Sequence, residues 1–294
     1  MPSAATPDST PFIYLNGRFV PESDAGLSPL DRGFTLADGV FETLVALGDR
    51  VFRLGDHLAR LQEGAEVLHL PLPPVEELAE AISESLRING HPCSVARLTV
   101  SRGADPGRGL DVTPGVAPSV VVRVTPWQGP LTSVPQGRRV VVSTIRRNDL
   151  SPLARIKSLS YVEGVVTRLE AQSAGADDAL LCNTRGFLTG ATSSNVFAVI
   201  GGRLVTPPGD DGVLPGVARR TVLEEAERLD IPTNGHSLTP EELSTAHEIF
   251  LTNVVTGVVP VTSLSGDSVG PGVAGPVTAR LARAYWERVE RDLG

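Results

Sequence analysis

The chain has 294 residues, and 41% of them are hydrophobic, which is enough for one large domain or two medium domains with cores of their own. A formal net charge of −8 at pH 7 argues against nucleic acid as the main partner, because phosphate binding requires a basic surface. The sequence has no run of about 18 apolar residues, which argues against a membrane-spanning helix, and its two cysteines show neither a metal-ligand spacing nor a disulfide framework.

The first part of the chain predicts strands followed by two helices. Residues 1–11 have neither a basic start nor an apolar stretch, so we expect a loose tail rather than a signal peptide, and a cytoplasmic protein. Asn16-Gly17 separates two short apolar runs, as in a β-hairpin, and Asp56 is placed to cap a helix. The predicted elements are a hairpin over 12–20, strands at 40–45 and 50–54, helices at 56–68 and 75–88, and strands at 95–101 and 119–124.

A proline- and glycine-rich stretch from Pro126 to Gly137 interrupts this pattern and is the best linker candidate. We predict an α/β protein with a smaller N-terminal domain over 1–127, a linker over 128–137 and a larger domain over 138–294. The elements predicted in the larger domain are strands at 139–144, 178–182, 196–200, 203–206 and 248–252, and helices that end near 174 or span 216–229 and 277–293.

Lys157 is the only lysine among the 26 lysine and arginine residues of the chain. Arginine keeps its proton at any physiological pH, whereas a lysine amine can lose its proton, attack a carbonyl and form a Schiff base. An Arg-, Ala-, Gly- and Pro-rich composition, typical of a GC-rich bacterial source, is an alternative reason for the scarcity of lysine. The lone lysine therefore predicts chemistry only together with other groups.

Pyridoxal phosphate is the commonest cofactor that pairs with such a lysine, and its site needs a phosphate cradle. Arg60 lies one turn after His57 on a predicted helix and could grip a phosphate with two N–H groups. The segment 214–219, Leu-Pro-Gly-Val-Ala-Arg, begins a helix whose free N–H groups favour an anion, and the turn 192–195, Thr-Ser-Ser-Asn, offers hydroxyls. Each signal is weak alone, and their joint order with Lys157 makes them specific.

In that order the sequence resembles the class IV aminotransferases, which include branched-chain aminotransferases, D-amino-acid aminotransferases and aminodeoxychorismate lyase. The similarity runs from about Ile13 to the last predicted helix. The segments that carry it are 30–34, 38–43, 57–61, 151–161, 170–171, 175–181, 194–197, 214–219, 252–253 and 260–261. The context of Asn253 and the Pro260-Val261 ending look closer to the D-amino-acid and lyase branch.

The resemblance implies a two-domain α/β enzyme of fold type IV, with a mixed sheet in the larger domain and pyridoxal 5'-phosphate between the domains. It also implies a homodimer in which a neighbouring subunit completes each site. The resemblance implies that Lys157 is the Schiff-base lysine and proton shuttle, and that Arg60 and the amides of Val217 and Ala218 bind the phosphate. It places Tyr161 near the phenolic oxygen of the cofactor. Further cofactor contacts are implied for Thr192, Ser193 and Asn253, and substrate contacts for Phe41 and Arg108.

One departure from the family pattern concerns the acid that keeps the pyridine nitrogen protonated. The family has Glu-Gly-Thr/Ser before the Ser-Asn pair, whereas Gly190 stands here in the place of the Glu. Loss of a charge-assisted contact worth about 1.5–3 kcal/mol would slow the chemical step roughly ten- to a hundredfold. Three explanations stay open: a one-residue slip with Thr189 as a neutral partner, a carboxylate from elsewhere, or impaired catalysis.

The function that these residues indicate is transfer of an amino group between an amino acid and a 2-keto acid. Arg108 matches the arginine of the carboxylate trap of D-amino-acid enzymes, but Leu110 replaces its histidine, so a D-substrate is one expectation among others. Thr256 is displaced from the phosphate threonine of the branched-chain enzymes. The alternatives are aminodeoxychorismate lyase, which releases 4-aminobenzoate and pyruvate, and a non-catalytic binding descendant of the fold.

Overall fold

The structure is a computed structural model that describes residues 10–130 and 133–294. Most of the predicted tail, residues 1–9, and two residues of the predicted linker, 131 and 132, lie outside the described residues. The first sheet consists of β1 (Phe12–Leu15), β2 (Arg18–Pro21), β3 (Gly39–Leu47), β4 (Arg50–Val51), β5 (Cys93–Ser101) and β6 (Ser119–Pro126). All of its pairings are antiparallel, and the strand order is β2-β1-β6-β5-β3-β4.

Helices α2 (Leu54–Val67) and α3 (Val75–Asn89) cover one face of this sheet. The first half also contains the short helix α1 (Arg32–Leu36). Leu58, Leu61 and Ala65 recur on α2 at intervals of three and four residues, which places them on one side of the helix, where they are buried against the sheet. The core between helices and sheet is therefore built from one apolar stripe per helix and one face of each strand.

The prediction that Asp56 caps α2 is wrong, because the helix begins two residues earlier, at Leu54. Arg53 occupies the N-cap position in the left-handed region, with φ of 53°. Asp56 lies in the first turn, where its carboxylate faces the positive end of the helix and accepts a hydrogen bond from Arg53 Nη1 at 3.2 Å. The acid thus stabilises the helix start from inside the helix.

The second sheet is larger and mixed. Its strands are β7 (Arg138–Arg147), β8 (Asp178–Asn183), β9 (Leu188–Ala191), β10 (Asn195–Ile200), β11 (Arg203–Thr206), β12 (Thr233–Gly235), β13 (Glu248–Asn253), β14 (Gly257–Leu264) and β15 (Asp267–Ser268). The order is β12-β11-β10-β13-β14-β7-β8-β9, with β15 paired to β14. Strand β7 is parallel to both of its neighbours, whereas most other pairs are antiparallel.

Helices pack against this second sheet and form its core. They are α4 (Val162–Ser173), α5 (Val217–Arg228), α6 (Pro240–Leu243) and α7 (Pro276–Leu293). Helix α4 contacts β7 and β8, whereas α5 and α7 pack on each other and on β13. Among the helices of the described residues, none is long and apolar enough to cross a membrane.

The two sheets share one hydrophobic cluster. Val45 and Phe52 from the first sheet region pack with Phe197 and Tyr285 from the second, and all four are buried. The last strand of the first sheet ends at Pro126 and the first strand of the second begins at Arg138, while the exact domain division stays a prediction. The predicted α/β fold with a mixed second sheet is confirmed.

Candidate active site

A cavity of about 670 Å³ lies between the two halves of the chain, and both line it. Strands β3 and β5 and helix α2 contribute from the first half. The segment after β7, the turn after β9 and the N-terminus of α5 contribute from the second. A cavity of this size is suitable for a small-molecule ligand.

The main chain around Lys157 is attached to strand β3. The N–H of Phe41 donates to the carbonyl of Lys157 at 3.0 Å, and the N–H of Leu159 donates to the carbonyl of Gly39 at 2.9 Å. Gly39 permits this approach, because a Cβ there would lie 2.5 Å from the carbonyl oxygen of Val100. These hydrogen bonds therefore fix the main chain of Lys157, which belongs to the second half, at one position along strand β3 of the first sheet.

The side chain of Lys157 lies between two aromatic rings. Its Nζ is 3.4 Å from the hydroxyl of Tyr161, to which it donates a hydrogen bond, and 4.4 Å from the ring centre of Phe41. The two rings meet edge to face at 5.1 Å. The aromatic pair fixes the position of the amine while leaving it on the cavity wall.

Arg60 is held by a buried acid. Glu42 Oε1 accepts from Arg60 Nε at 2.7 Å, and Glu42 Oε2 accepts from Nη2 at 2.6 Å and lies 2.7 Å from His57 Nδ1. Burial acts to raise the pKa of Glu42, but hydrogen bonds from His57 and Arg60 outweigh it and lower that pKa to about 2. Glu42 is fully buried, so it positions Arg60 instead of facing the cavity.

His57 completes this group as a neutral ring. Burial lowers its pKa, although the hydrogen bond to Glu42 acts in the opposite direction. The neutral ring donates its Nδ1 proton to the Glu42 carboxylate, which fixes the tautomer. Within the described part of the chain, His57 Nε2 has no hydrogen-bond partner.

The N-terminus of α5 opens beside Arg60, whose Nη1 donates to the carbonyl of Pro215 at 3.1 Å. No side chain in the described residues caps this helix, so the first N–H groups, at Val217 and Ala218, are available to a ligand. Gly216 at the N-cap has no room for a side chain, because a Cβ would lie 2.1 Å from Asn195 Oδ1. Guanidinium and helix end together form an anion site.

The turn after β9 adds hydroxyl groups. Thr192 Oγ1 donates to Asp178 Oδ1 at 2.7 Å and accepts from Arg168 Nη2 at 2.6 Å. Asn253 ties the end of β13 to the same turn, because its Nδ2 donates to Ser194 Oγ at 3.1 Å. The turn is thus held from two sides.

Nine of the ten site residues expected from the sequence line this cavity: Lys157, Arg60, Tyr161, Thr192, Ser193, Val217, Ala218, Asn253 and Phe41. The tenth, Arg108, lies on an exposed loop and does not line the cavity of its own chain. Thr256, expected to be displaced, also lines the cavity, although Asn253 Oδ1 accepts the hydrogen bond of its N–H.

Arg97 on β5 is a cavity residue that the sequence did not indicate. Its guanidinium lies 3.8 Å from the ring centre of Phe41, and among the described residues no carboxylate is within ion-pair distance of it. Arg97 pairs with Thr43 on the neighbouring strand β3, and both face the cavity. A single charged residue in an otherwise uncharged strand was the available signal.

The structure also bears on the missing acid. Gly190 has φ of 144°, and a Cβ there would lie 2.7 Å from the carbonyl oxygen of Ser194. A glutamate therefore does not fit at Gly190 unless the turn moves. Thr189 lines the cavity instead, buried, with its hydroxyl donating to the carbonyl of Leu181 at 3.2 Å.

A sequence model of the family described as amino-transferase class IV matches residues 39–264. This chain belongs to the class IV aminotransferases. It is 34% identical over 275 residues to a putative branched-chain-amino-acid aminotransferase of Methanocaldococcus jannaschii, covering 93% of this chain and 94% of that one. It is 32% identical over 274 residues to the D-alanine aminotransferase of Bacillus licheniformis, covering 92% and 95%.

Among solved structures, the branched-chain aminotransferase of Thermobaculum terrenum in its pyridoxal-phosphate form superposes with a TM-score of 0.87, at 25% identity and over 96% of this chain and 95% of that one. The protein of the present structure is therefore an enzyme that depends on pyridoxal 5'-phosphate. Its residues fit this cofactor: Lys157 offers an amine for the aldehyde, and the uncapped start of α5 with Arg60 offers an anion site for the phosphate.

Proposed function

We propose that the enzyme moves an amino group between an amino acid and a 2-keto acid, with Lys157 as the catalytic residue. The single observation that carries this proposal is the position of the lone lysine amine, 3.4 Å from the Tyr161 hydroxyl, in a cavity that also contains the anion site at α5. Bound pyridoxal phosphate supplies an aldehyde for the amino group and a ring that withdraws electrons from the substrate α-carbon.

The residues of this chain divide the remaining work. Lys157 Nζ moves a proton to and from the reacting carbon atoms, and the aromatic rings of Phe41 and Tyr161 keep it in place. Arg60 and the N–H groups of Val217 and Ala218 hold the phosphate end, which keeps the cofactor bound when the amine is released.

Arg97 supports a substrate with a carboxylate directed towards β5. Its guanidinium is charged at any physiological pH, faces the cavity and lacks an ionic partner within the described chain. A dicarboxylic 2-keto acid offers a second carboxylate that a simple aliphatic one lacks. We therefore propose that one of the two half-reactions uses a dicarboxylic substrate.

A preference for D-amino acids would have to come from Arg108 through a second subunit. Arg32 holds the loop that carries Arg108 in one conformation, since its guanidinium donates to the carbonyls of Leu110 at 3.2 Å and Asp111 at 3.1 Å. We propose that this exposed loop reaches the cavity of a neighbouring copy. The stereochemical preference stays a proposal, as do the cytoplasmic location and the homodimer.

The homodimer is supported by the outer face of α4. Val162, Val165, Val166 and Leu169 are exposed large apolar residues on this helix, and Val162 is 70% exposed. The other side of the same helix contributes Glu163 and other residues to the cavity lining. A second copy that covers α4 would therefore border the active site.

The test is a half-reaction assay on the purified holoenzyme with L-leucine, D-alanine and 4-amino-4-deoxychorismate as separate donors. An aminotransferase releases the matching keto acid and retains the amino group, which a second keto acid then collects. The lyase alternative, which the family relatives do not favour, would release pyruvate and 4-aminobenzoate without an acceptor. Lys157→Ala must abolish release of keto acid; activity retained in this variant contradicts the proposal.

A further inference from the structure

The described lining of the cavity carries more positive than negative charge. Besides Lys157 it contains five arginines: Arg60, Arg97, Arg138, Arg147 and Arg168. Glu163 is the one carboxylate among these described lining residues, and its Oε2 lies 2.8 Å from Arg147. No unpaired carboxylate therefore faces the cavity from the described part of this chain.

Besides Lys157 and the anion site at α5, the polar lining includes β9 and the turn after it. This part presents the hydroxyls of Thr189, Thr192 and Ser193, which together we call the hydroxyl wall. Gly190, between them, has no space for a side chain, because its Cβ would lie 2.7 Å from a main-chain oxygen. The main-chain path of β9 thus offers hydroxyl groups and leaves no room for an acid at Gly190.

The geometry of pyridoxal phosphate determines which of its atoms can face the hydroxyl wall. In pyridoxal phosphate the ring nitrogen is para to the carbon that carries the aldehyde, so it lies on the side of the ring away from Lys157. A carboxylate next to the nitrogen would favour its protonated form, whereas a hydroxyl adds no negative charge that would stabilise a protonated ring.

The charges behind the hydroxyl wall also disfavour a protonated ring. Asp178 is fully buried behind Thr192, which donates to it at 2.7 Å. The same carboxylate binds Arg138 at 3.2 Å and Arg168 at 3.0 Å, so the group as a whole is positive. A further positive charge on the ring nitrogen would be repelled.

We propose that the pyridine nitrogen of the bound cofactor faces the hydroxyl wall of Thr189 and Thr192 instead of a carboxylate, and that it stays unprotonated at neutral pH. This inference rests on the proposed function, because it requires that Lys157 holds the cofactor. The ring then withdraws electrons less strongly from the substrate. The reaction depends correspondingly more on the proton transfer by Lys157.

The test is ¹⁵N nuclear magnetic resonance of the holoenzyme reconstituted with pyridoxal phosphate labelled at the ring nitrogen. The expected resonance lies at the position of an unprotonated pyridine and does not move across the neutral pH range. Thr189→Glu is expected to move it to the protonated position, whereas the uncharged, similarly shaped Thr189→Gln leaves it in place. This readout does not depend on turnover.

A wild-type resonance at the protonated position overturns the inference, and this measurement needs no variant to fold. If Asp178→Asn then returned the resonance to the unprotonated position, the charge of Asp178 would be acting through Thr192. The proposed function fails in a different way: the labelled cofactor would not bind, or borohydride trapping would leave no adduct on Lys157. Keto acid release together with a protonated ring nitrogen would remove this inference alone.

Discussion

Lys157 and Phe41 are joined twice, once through the main chain and once through the side chains. The Phe41 N–H donates to the Lys157 carbonyl at 3.0 Å, and the Lys157 amine lies 4.4 Å from the Phe41 ring centre. The first contact depends on the pairing of the lysine segment with β3, and the second on an aromatic residue at that point of the strand. Phe41 therefore contacts both the backbone and the amine of Lys157.

Replacement of Phe41 separates these two contacts. Phe41→Leu keeps the main-chain hydrogen bond and removes the ring. Because the amine is then positioned less well, the activation free energy should rise by about 1 kcal/mol and kcat should fall roughly fivefold. The free energy of unfolding should change much less than in Phe41→Ala, which also leaves a cavity. The measurement is kcat and urea unfolding for both variants; an unchanged kcat in Phe41→Leu would show that the ring does not position the amine.

The buried Glu42 predicts a large effect on stability. Glu42→Gln keeps the shape but leaves the guanidinium of Arg60 without its charged partner, at a cost of about 3–5 kcal/mol in the free energy of unfolding. A phosphate at the anion site restores a negative charge next to Arg60, so the loss should be smaller in the holoenzyme. Denaturant unfolding with and without pyridoxal phosphate measures both values. Glu84→Gln, which breaks an exposed pair with Arg87, is the matched control with little effect.

The same residue predicts how stability depends on pH. The pKa of Glu42 is about 2 in the folded chain against 4.5 when unperturbed, so the unfolded chain binds the proton first as pH falls. The stabilisation, about 3 kcal/mol, is complete above pH 4.5 and is lost as pH falls towards 2. The lowered pKa of His57 acts in the same direction from pH 6.5 downwards. Glu42→Gln should flatten the acidic part of the curve; an equal slope in wild type and variant would contradict this assignment.

How much of the site the sequence predicted depends on how local each signal is. Lys157 was found because it is the only lysine, and Val217 and Ala218 because a helix start is a local pattern. Arg97 was not found, since it reaches the cavity only through the pairing of β3 with β5, about 50 residues apart. Gly190 was recognised as a departure, but its steric reason is the approach of the Ser194 carbonyl, a tertiary contact.

The helices and strands also differ in how far local sequence patterns predict them. Strands with long apolar runs and amphipathic helices were predicted near their observed bounds, because their periodicity lies within a short window. Strands β9, β12, β14 and β15 and the short helices α1 and α6 were not predicted. Strand β9 has only four residues and includes Gly190, and β14 includes Pro260, so local propensity opposes both and the sheet around them decides.

Arg97, which has no ionic partner among the described residues, predicts a difference between acceptors. Arg97→Ala should raise KM for 2-ketoglutarate roughly ten- to a hundredfold, corresponding to the loss of a charged hydrogen bond of about 1.5–3 kcal/mol, and should change KM for a monocarboxylic keto acid little. Steady-state kinetics with both acceptors measures the ratio. Arg123→Ala is the control, because Arg123 is cross-strand to Arg97 but pairs with Glu22 at the surface. An equal rise for both acceptors would mean that Arg97 binds the α-carboxylate instead.

The apolar face of α4 predicts that the enzyme dimerises through this helix. Val165 is 56% exposed on that face, and a charge there would be buried in a dimer, so Val165→Glu should shift the equilibrium to monomers in light scattering at micromolar concentration. Because Glu163 on the same helix lines the cavity, keto acid release should fall together with the dimer fraction. Val273→Glu adds the same charge at a site that is 63% exposed and distant from α4 in sequence, and it should leave the assembly unchanged. A Val165→Glu protein that stays dimeric would require a different interface.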